Sequence, residues 1–250
     1  MTQDEYVEGV LQKYATNKLA AQKAAESIAA SIQAWAGSQL SKLSYSGSFA
    51  KETTNSLSTD VDLFISLKSS TKETLKEVYE SLYKWARSNG WSPIRQNVSI
   101  GITLSGMKID LVPGKKQTGY QNVHSLYKRK TGSWTQTNVK LHVDTVTSSG
   151  RTKEIRAIKI WRDLHGLSFP SFYLELMVIE GLKGRSISNL AANVLHALDY
   201  IGTNLATKRI VDPANTNNII SDDLSATEKG NVARKAKTST AKQYWKEIIW

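Results

Sequence analysis

The chain has 250 residues, of which 40% are hydrophobic, enough for the core of one large domain or of two lobes. It contains no cysteine, which excludes disulfides and cysteine-ligated zinc. No apolar run approaches the roughly eighteen residues of a membrane span, and the first residues lack the shape of a signal peptide. The net charge of +11 favours polyanionic partners, both nucleic acid and nucleotides. We therefore expect a cytoplasmic protein without membrane contact.

A long helix is predicted at the start of the chain. Apolar residues between Val7 and Trp35 mostly recur at three- and four-residue steps, and Gly37 suits the helix end. A helix of this length spans about 45–50 Å, which is enough to brace two lobes.

Two strands and a helix are predicted next. Residues 43–45 and 60–67 have the apolar pattern of strands. Ser70 and Glu73 suit the start of a helix that ends near Gly90.

A hairpin is predicted to follow this helix. Residues 93–104 alternate loosely between apolar and polar, as a strand does, and Gly106 provides the turn. The apolar run 109–112 then forms the returning strand, which carries Asp110 to the same sheet.

The pattern changes from strands to helices near residue 150. Residues 114–149 are polar and glycine-containing, and we expect a substrate-facing loop region there. From Arg151 onward the apolar spacing is helical. We therefore predict an α+β protein with one lobe over 1–150, a helical lobe over 151–250, and the functional site in the cleft between the lobes.

Three aspartates are the candidate catalytic residues and metal ligands. Asp60 and Asp62 lie two residues apart on one predicted strand, so their side chains leave the same face. Asp110 lies on a second strand that could be its neighbour. Three converging carboxylates repel one another unless cations lie between them, and two Mg²⁺ ions about 3.5–4 Å apart are the usual arrangement for in-line phosphoryl transfer. The predicted cofactor is Mg²⁺, with Mn²⁺ as the alternative.

A phosphate-binding turn is predicted upstream of Asp60 and Asp62, with Ser48 twelve residues before Asp60. Gly47 lets the backbone approach a phosphate closely, and Ser48 adds a hydroxyl at the start of a helical turn. We therefore assign both residues to nucleotide binding.

These segments resemble the DNA-polymerase-beta-like nucleotidyltransferase superfamily. More narrowly, they are similar to the branch that holds oligoadenylate synthases, the animal cyclic GMP-AMP synthase and the bacterial CD-NTases. The similar segments are Gly-Ser-Phe-Ala-Lys-x-Thr (47–53), Asp-Val-Asp-Leu-Phe (60–64), Asp-Leu-Val-Pro (110–113), the helical-lobe segments 156–161 and 169–176, and Asp-Pro-Ala-Asn-Thr-Asn-Asn (212–218). The chain departs from the pattern at Glu52, where the family usually has glycine.

The resemblance implies a fold, a reaction and its partners. The implied fold is a polymerase-beta-like mixed sheet with a long N-terminal helix and a C-terminal helical bundle. The implied reaction joins nucleoside triphosphates, ATP and/or GTP with pyrimidines as an alternative, into a cyclic di- or trinucleotide and releases pyrophosphate. In bacteria such a product activates a separate effector in antiphage signalling. Asp60 and Asp62 would hold the metal on the donor triphosphate, and Asp110 would lie nearest the acceptor hydroxyl.

Three further residues are implied to bind the nucleotide. Lys159 matches a lysine that contacts the donor triphosphate in this branch, with a surface lysine as the alternative interpretation. Ser171 matches a serine that contacts the same phosphates, with a simple helix N-cap as the alternative. Phe172 or Tyr173 would stack on a base or belong to the core. Asp212 is interpreted as a turn-former.

Two other functions stay open. A tRNA CCA-adding or aminoglycoside nucleotidyltransferase shares the aspartate motif but not the segments at 169–176 and 212–218. A catalytically idle nucleic-acid-binding module would use the basic residues of 113–130 and 229–246, although Tyr120 and Tyr127 are too sparse for a stacking platform. Because the aspartates are intact, we expect at most weak, non-specific contact with nucleic acid.

Overall fold

The computed structural model describes residues 1–58 and 60–250, so Thr59, which directly precedes the first aspartate of the motif, lies outside the described residues. The chain divides into two compact units. The unit that we call the helical unit comprises Met1–Thr16, Lys51–Ser58 and Asp144–Trp250, and the one that we call the sheet unit comprises Asn17–Ala50 and Thr59–Val143. The predicted domains, 1–150 and 151–250, stay a prediction, and the units are interleaved along the sequence.

The described helices and strands are mixed up to Thr137, and from Val139 onward the described elements are helices. In chain order they are α1 (Gln3–Lys13), α2 (Lys18–Ala36), β1 (Leu40–Tyr45), α3 (Gly47–Ala50), β2 (Asp60–Leu67), α4 (Leu75–Ser88), β3 (Ile94–Arg95), β4 (Ile100–Leu104), β5 (Met107–Lys116), β6 (His124–Lys128), β7 (Ser133–Thr137), α5 (Val139–Thr147), α6 (Thr152–Leu164), α7 (Ser171–Gly181), α8 (Leu190–Asn204) and α9 (Ala226–Thr240). This confirms the predicted α+β class.

The sheet is mixed, and one parallel pair lies at its centre. Its strand order is β1-β2-β5-β4-β3, with β6 paired to the end of β5 and β7 paired to β6. Strands β2 and β5 run parallel, and Asp62 is the register partner of Asp110. The other described pairs are antiparallel, including the predicted β4–β5 hairpin.

Alternation along the two central strands decides which side chains face the core. In β2 the residues Val61, Leu63 and Ile65 are buried in an apolar cluster with residues of α2 and α4. In β5 the residues Ile109 and Leu111 join the same cluster. Because strand side chains alternate between faces, the intervening aspartates lie on the opposite face of the sheet.

The helical unit has its own apolar core. Trp161 of α6 and Tyr173 of α7 are among its largest fully buried side chains. The indole of Trp161 donates a hydrogen bond to Ser239 Oγ of α9 at 2.9 Å, so its polar atom is satisfied inside the core. None of the described helices combines the length and the apolar composition that a bilayer span requires.

Two helix boundaries differ from the predictions. The N-terminal helical segment consists of α1 and α2, since Asn17 caps a new helix by accepting a hydrogen bond from the Ala20 N–H. Helix α4 does not begin at Ser70 and Glu73. It begins after Thr74, which forms a capping box with Glu77.

Two irregular segments were also predicted wrongly in part. Residues 93–104 form two short strands, β3 and β4, joined by a turn in which the Gln96 N–H donates to the Ser99 carbonyl. The predicted loop at 114–149 contains the end of β5, the hairpin β6–β7 and α5. These polar strands lack the apolar alternation on which the prediction relied.

Candidate active site

The three predicted aspartates meet on one face of the sheet unit. Asp62 and Asp110 are register partners on the parallel strands β2 and β5, and Asp60 is the partner of Lys108. Asp60 is exposed, whereas Asp62 and Asp110 are half-buried. The parallel pairing of β2 and β5 therefore places three carboxylates on two adjacent strands, as the spacing predicted.

Gly47 packs directly against one of these carboxylates. A Cβ atom at position 47 would lie 1.8 Å from Oδ2 of Asp62, and the backbone of Gly47 has a φ of 55°. The preceding residue, Ser46, donates its N–H to the Asp62 carbonyl at 2.8 Å. This turn therefore admits only glycine beside Asp62.

Burial and a neighbouring charge perturb the carboxyl group of Asp110. The pKa of Asp110 is raised to about 6, chiefly by burial and secondarily by the neighbouring charge of Asp60. Gln96 Nε2 donates to Asp110 Oδ1 at 2.7 Å and Lys108 lies nearby, and both lower the pKa without cancelling the rise. When ionised, the carboxylates of Asp60 and Asp110 therefore repel each other at this point of the sheet.

A small cavity opens beside Asp60 and Asp110. Its volume is about 170 Å³, and it lies wholly within the sheet unit. Gly101 borders it, and a Cβ atom there would lie 2.9 Å from Gln96 Nε2 and 3.1 Å from Asp110 Oδ1. The remaining lining residues are Ser92, Ile94, Gln96, Ile102, Thr103 and Lys108.

The donor set fits Mg²⁺ in its chemistry. The aspartates offer hard carboxylate oxygens, and their mutual repulsion at Asp110 is what a bound cation would relieve. Among the described residues, no three acidic, histidine or cysteine side chains form a closed ligand cluster as they stand. One oxygen of Asp110 is instead engaged by Gln96, so this side chain would have to share or leave that hydrogen bond.

Lys159, predicted to contact phosphates, lies inside the helical unit. It is 2% exposed, which excludes the alternative of a solvated surface lysine. Its ammonium contacts Glu175 Oε1 at 2.5 Å and Thr53 Oγ1 at 2.8 Å. The contact of Lys159 with phosphate stays a prediction.

Ser171 and Phe172 lie at the start of α7. The N-cap of this helix is Pro170, so Ser171 is not the cap that we considered as its alternative role. Ser171 is exposed, and its hydroxyl accepts a hydrogen bond from Arg162 at 2.9 Å. Phe172 is half-buried beneath the ammonium of Lys51, 4.0 Å from the ring centroid, whereas Tyr173 belongs to the core.

Three residues near these positions were not singled out from the sequence. Lys51, Thr53 and Glu175 form one buried cluster with Lys159. Glu175 lies in the otherwise apolar run Phe172–Ile179, and an acid in such a run requires a cationic partner when buried. That pattern would have identified Glu175, though not its partners.

The departure at Glu52 also has a structural explanation. Glu52 has a φ of 59°, in the left-handed region that favours glycine. Glycine would be unstrained at this position, and this chain forms the turn with a strained residue.

The Asp212 segment is a compact turn, as interpreted. Asp212 Oδ1 accepts from the Ala214 N–H at 2.8 Å, and its Oδ2 accepts from Asn218 Nδ2 at 3.2 Å. The asparagines of the motif thus stabilise a turn in this structure.

Comparisons with known proteins place this fold. No protein-family model matches the chain, and no curated protein matches it in sequence. Solved structures do match, and the chain has the fold of bacterial CD-NTases whose structures are known. The mixed sheet and helical second half predicted from the resemblance are thereby confirmed.

Three of the matching structures show how far the similarity extends. The CD-NTase CdnG of Bradyrhizobium diazoefficiens in complex with GTP has a TM-score of 0.81 at 14% identity, over 96% of this chain and 91% of that one. CdnC of E. coli MS115-1 with ATP has a TM-score of 0.78 at 19% identity, over 95% and 90%. The CdnE cyclic dinucleotide synthase of Elizabethkingia meningoseptica with GTP and Apcpp has a TM-score of 0.61 at 15% identity, over 87% and 90%.

Proposed function

We propose that this chain is a Mg²⁺-dependent nucleotidyltransferase that joins nucleoside triphosphates into a cyclic di- or trinucleotide. The observation that carries the proposal is the convergence of Asp60, Asp62 and Asp110 on two parallel strands, with Gly47 closed against Asp62, in a CD-NTase fold. Similar structures were solved with ATP, with GTP, and with GTP and Apcpp, which supports nucleoside triphosphates as substrates.

The aspartates would hold the metal, and it would neutralise charge on the phosphates. Asp60 and Asp62 would bind the metal on the side of the donor triphosphate. Asp110 would lie on the side of the acceptor and accept the proton of its hydroxyl group. The hydroxyl oxygen forms a bond to the α-phosphorus, the bond from the α-phosphorus to the bridging oxygen breaks, and pyrophosphate leaves with that oxygen.

Gln96 and Gly47 have supporting roles in this proposal. Gln96 is held at both its backbone and its side chain. Tyr79 donates to its backbone carbonyl at 2.7 Å, and Ser99 Oγ donates to its side-chain oxygen at 3.1 Å. It therefore orients Asp110. Gly47 leaves room for Asp62 and for a phosphate beside the turn.

The biological setting is part of the same proposal. We infer a cytoplasmic enzyme of bacterial antiphage signalling, whose cyclic product activates a separate effector. The support is the resemblance of the motifs and the fold to the CD-NTases.

The proposal is tested by identifying a product. The protein is incubated with labelled ATP, GTP, CTP and UTP, singly and in pairs, with Mg²⁺, then treated with phosphatase and analysed by mass spectrometry. A phosphatase-resistant species with the mass of a cyclic di- or trinucleotide is expected. Transfer of a single nucleotide to an added tRNA or aminoglycoside, without a cyclic species, would contradict the proposal and support the alternative transferases.

A further inference from the structure

The hydrogen bond between Gln96 and Asp110 depends on the short turn between β3 and β4. Gln96 Nε2 donates to Asp110 Oδ1 at 2.7 Å, and such a contact is strengthened when the acceptor is ionised. Gln96 is exposed, so packing alone does not hold its side chain. Its N–H donates to the Ser99 carbonyl at 3.0 Å, and its side-chain oxygen accepts from Ser99 Oγ at 3.1 Å. The groups that fix the 96–99 turn therefore fix the donor that holds Asp110.

The turn of the hairpin β6–β7 holds this segment by three hydrogen bonds. The N–H of Arg129 donates to the Asn97 carbonyl at 2.8 Å, and the N–H of Lys130 donates to Asn97 Oδ1 at 3.1 Å. Arg129 Nε adds a longer contact to the Gln96 carbonyl at 3.3 Å. These contacts join segments that lie 33 positions apart in the chain.

Helix α4 holds the same turn through a buried tyrosine. The Tyr79 hydroxyl donates to the Gln96 carbonyl at 2.7 Å and lies 3.3 Å from the Ser99 carbonyl. Burial raises the pKa of Tyr79 to about 12, so this hydroxyl keeps its proton and remains a donor. The ring of Tyr127, in β6, packs against Tyr79 with centroids 5.5 Å apart. The hairpin therefore also contacts the residue that anchors the turn from the core.

The hairpin is attached to the sheet unit at two separate places. At one end, β6 pairs with Lys115 and Lys116, the last residues of β5, and His124 Nε2 lies 2.8 Å from Ser66 Oγ of β2. At the other end, residues 129–130 contact Asn97. Because a two-stranded hairpin is only marginally stable by itself, these attachments specify its position. The second attachment transmits that position to the 96–99 turn.

We propose that the hairpin β6–β7 is a positioning element of the aspartate site, and that Asn97 and Arg129 are positioning residues that act on Asp110 through Gln96. Their hydrogen bonds fix the 96–99 turn, the turn fixes the Gln96 amide, and the amide selects the orientation of the Asp110 carboxylate. We call this chain of contacts the Asn97–Gln96–Asp110 relay. Its effect on catalysis rests on the proposed function, whereas its effect on the metal-free protein does not.

Nuclear magnetic resonance of the metal-free protein tests the relay without any chemistry. Glutamine is labelled selectively with a nitrogen isotope, the protein is kept in EDTA, and the Gln96 side-chain amide is assigned by its disappearance in Gln96→Met. Its chemical shift in Asp110→Ala is the reference for a lost hydrogen bond. Asn97→Ala removes the acceptor of the Lys130 N–H and should move the Gln96 resonance toward that reference. Asn97→Asp keeps an acceptor oxygen and should restore most of the wild-type shift.

The matched control is a hydrogen bond of the hairpin that does not reach the turn. Ser133→Ala removes the contact of 2.6 Å between the hydroxyls of Thr131 and Ser133, and it should leave the Gln96 resonance and kcat unchanged. Should Asn97→Ala not fold, Arg129→Gln alters an exposed residue, removes the donor to the Gln96 carbonyl and should give a smaller shift in the same direction. A Gln96 resonance that stays at its wild-type position in the folded variant would overturn the inference.

Turnover measurements separate positioning from a general loss of structure. In Asn97→Ala we expect kcat to fall by about three- to tenfold, since misplacement of a reacting group by about 1 Å costs up to about a hundredfold. The KM for the nucleotide should change little, because the relay ends at Asp110. In the Gln96→Met background, Asn97→Ala should cause no further loss, because its route to Asp110 is already interrupted. Independent, multiplicative losses in the double variant would contradict action through Gln96.

The outcomes for the relay and for the proposed function are distinguishable. A Gln96 resonance that responds to Asn97→Ala and recovers in Asn97→Asp, without any nucleotide product, would support the relay in the metal-free protein and refute the cyclic synthase. Product formation with a kcat that is indifferent to Asn97→Ala would refute the positioning role and leave the synthase standing.

Discussion

Gly47 is the residue at which the aspartate site has the least steric tolerance. In Gly47→Ala the new Cβ would displace the Asp62 carboxylate, which lies 1.8 Å away, and the alanine would have to keep a φ of 55°. We expect nearly complete loss of activity and a loss of stability of about 1–2 kcal/mol from the backbone alone.

The control for this variant is Gly9→Ala, measured by urea denaturation and by product formation. Gly9 lies in α1, where an added Cβ meets no atom within 4 Å. Alanine there should raise the free energy of unfolding by about 0.5–1 kcal/mol and leave activity unchanged. Full activity in Gly47→Ala would contradict the assigned contact with Asp62.

Asp110 gives the metal-free protein a specific pH dependence. Its folded pKa of about 6 exceeds the ordinary aspartate pKa of 3.8, so the folded state binds the proton more tightly than the unfolded state does. Stability from this group is therefore fully present below about pH 4 and is lost as the pH rises through 6.

Asp110→Asn should remove that dependence. Because the site is partly solvated, we expect the variant to be more stable than the wild type by on the order of 1–2 kcal/mol at pH 8 in EDTA, with the difference fading toward pH 4. Urea denaturation from pH 4 to 8 measures it, with the exposed Asp199→Asn as control. A difference that does not change with pH would show that ionisation of the Asp110 carboxyl group is not its cause.

Sequence reasoning located the aspartates but not all of their surroundings. Asp60 and Asp62 share a face because strands have a period of two, and this follows from spacing alone. The two lysine partners of Glu175 did not follow, because Lys51 lies 124 positions and Lys159 16 positions away from it, and no local pattern relates them. Long-range ion pairs of this kind depend on tertiary packing.

At the scale of elements, mutation can test directly at which residue helix α4 begins. Thr74 accepts from the Glu77 N–H at 3.2 Å, and Glu77 accepts from the Thr74 N–H at 2.8 Å. Thr74→Ala should cost about 0.5–2 kcal/mol of stability. Ser70→Ala, at the residue that the sequence suggested as the cap, should change stability by less than about 0.5 kcal/mol. The reverse order in thermal or urea denaturation would place the helix start at Ser70.

Helices and apolar strands were predictable, and polar strands were not. The helices α6, α7 and α8 follow the three- and four-residue spacing of their apolar residues. The hairpin β6–β7 was missed because most of its strand residues are polar or small hydroxyl-bearing side chains without apolar alternation, and the hairpin is specified by pairing with the end of β5. The break between α1 and α2 was missed because Asn17 acts as a cap within an otherwise continuous apolar repeat.

At the scale of the whole molecule, the charge of +11 predicts a salt-dependent affinity for polyanions. The side chain of Tyr127 packs against Tyr79 with ring centroids 5.5 Å apart, whereas Tyr120 and Trp134 are exposed among the basic residues. We expect non-specific duplex binding whose affinity falls with salt, with a log–log slope close to the number of phosphates neutralised.

Synthesis should not depend on that binding. Nuclease-treated protein should form product without added DNA or RNA, at both low and high salt. Strict dependence of synthesis on duplex would mean that the basic surface is a sensing element. Tight, sequence-selective binding without synthesis would favour the binding module.

The sequence predicted the class of the whole molecule, and the predicted division near residue 150 stays a prediction. The order of strands and helices, with the aspartate motifs, was sufficient for a mixed sheet followed by helices. The assignment of residues 1–16 and 51–58 to the helical unit depends on contacts with residues that lie more than a hundred positions away, such as Lys51 with Glu175.

The central claim is that Asp60, Asp62 and Asp110 form a nucleotidyl-transfer site. The most direct measurement is pyrophosphate release from nucleoside triphosphates with Mg²⁺, with the wild type compared to Asp62→Asn and to Asp199→Asn. The account predicts that Asp62→Asn releases no pyrophosphate above background while it remains folded by circular dichroism, and that Asp199→Asn matches the wild type. Near-wild-type release by a folded Asp62→Asn would contradict the account.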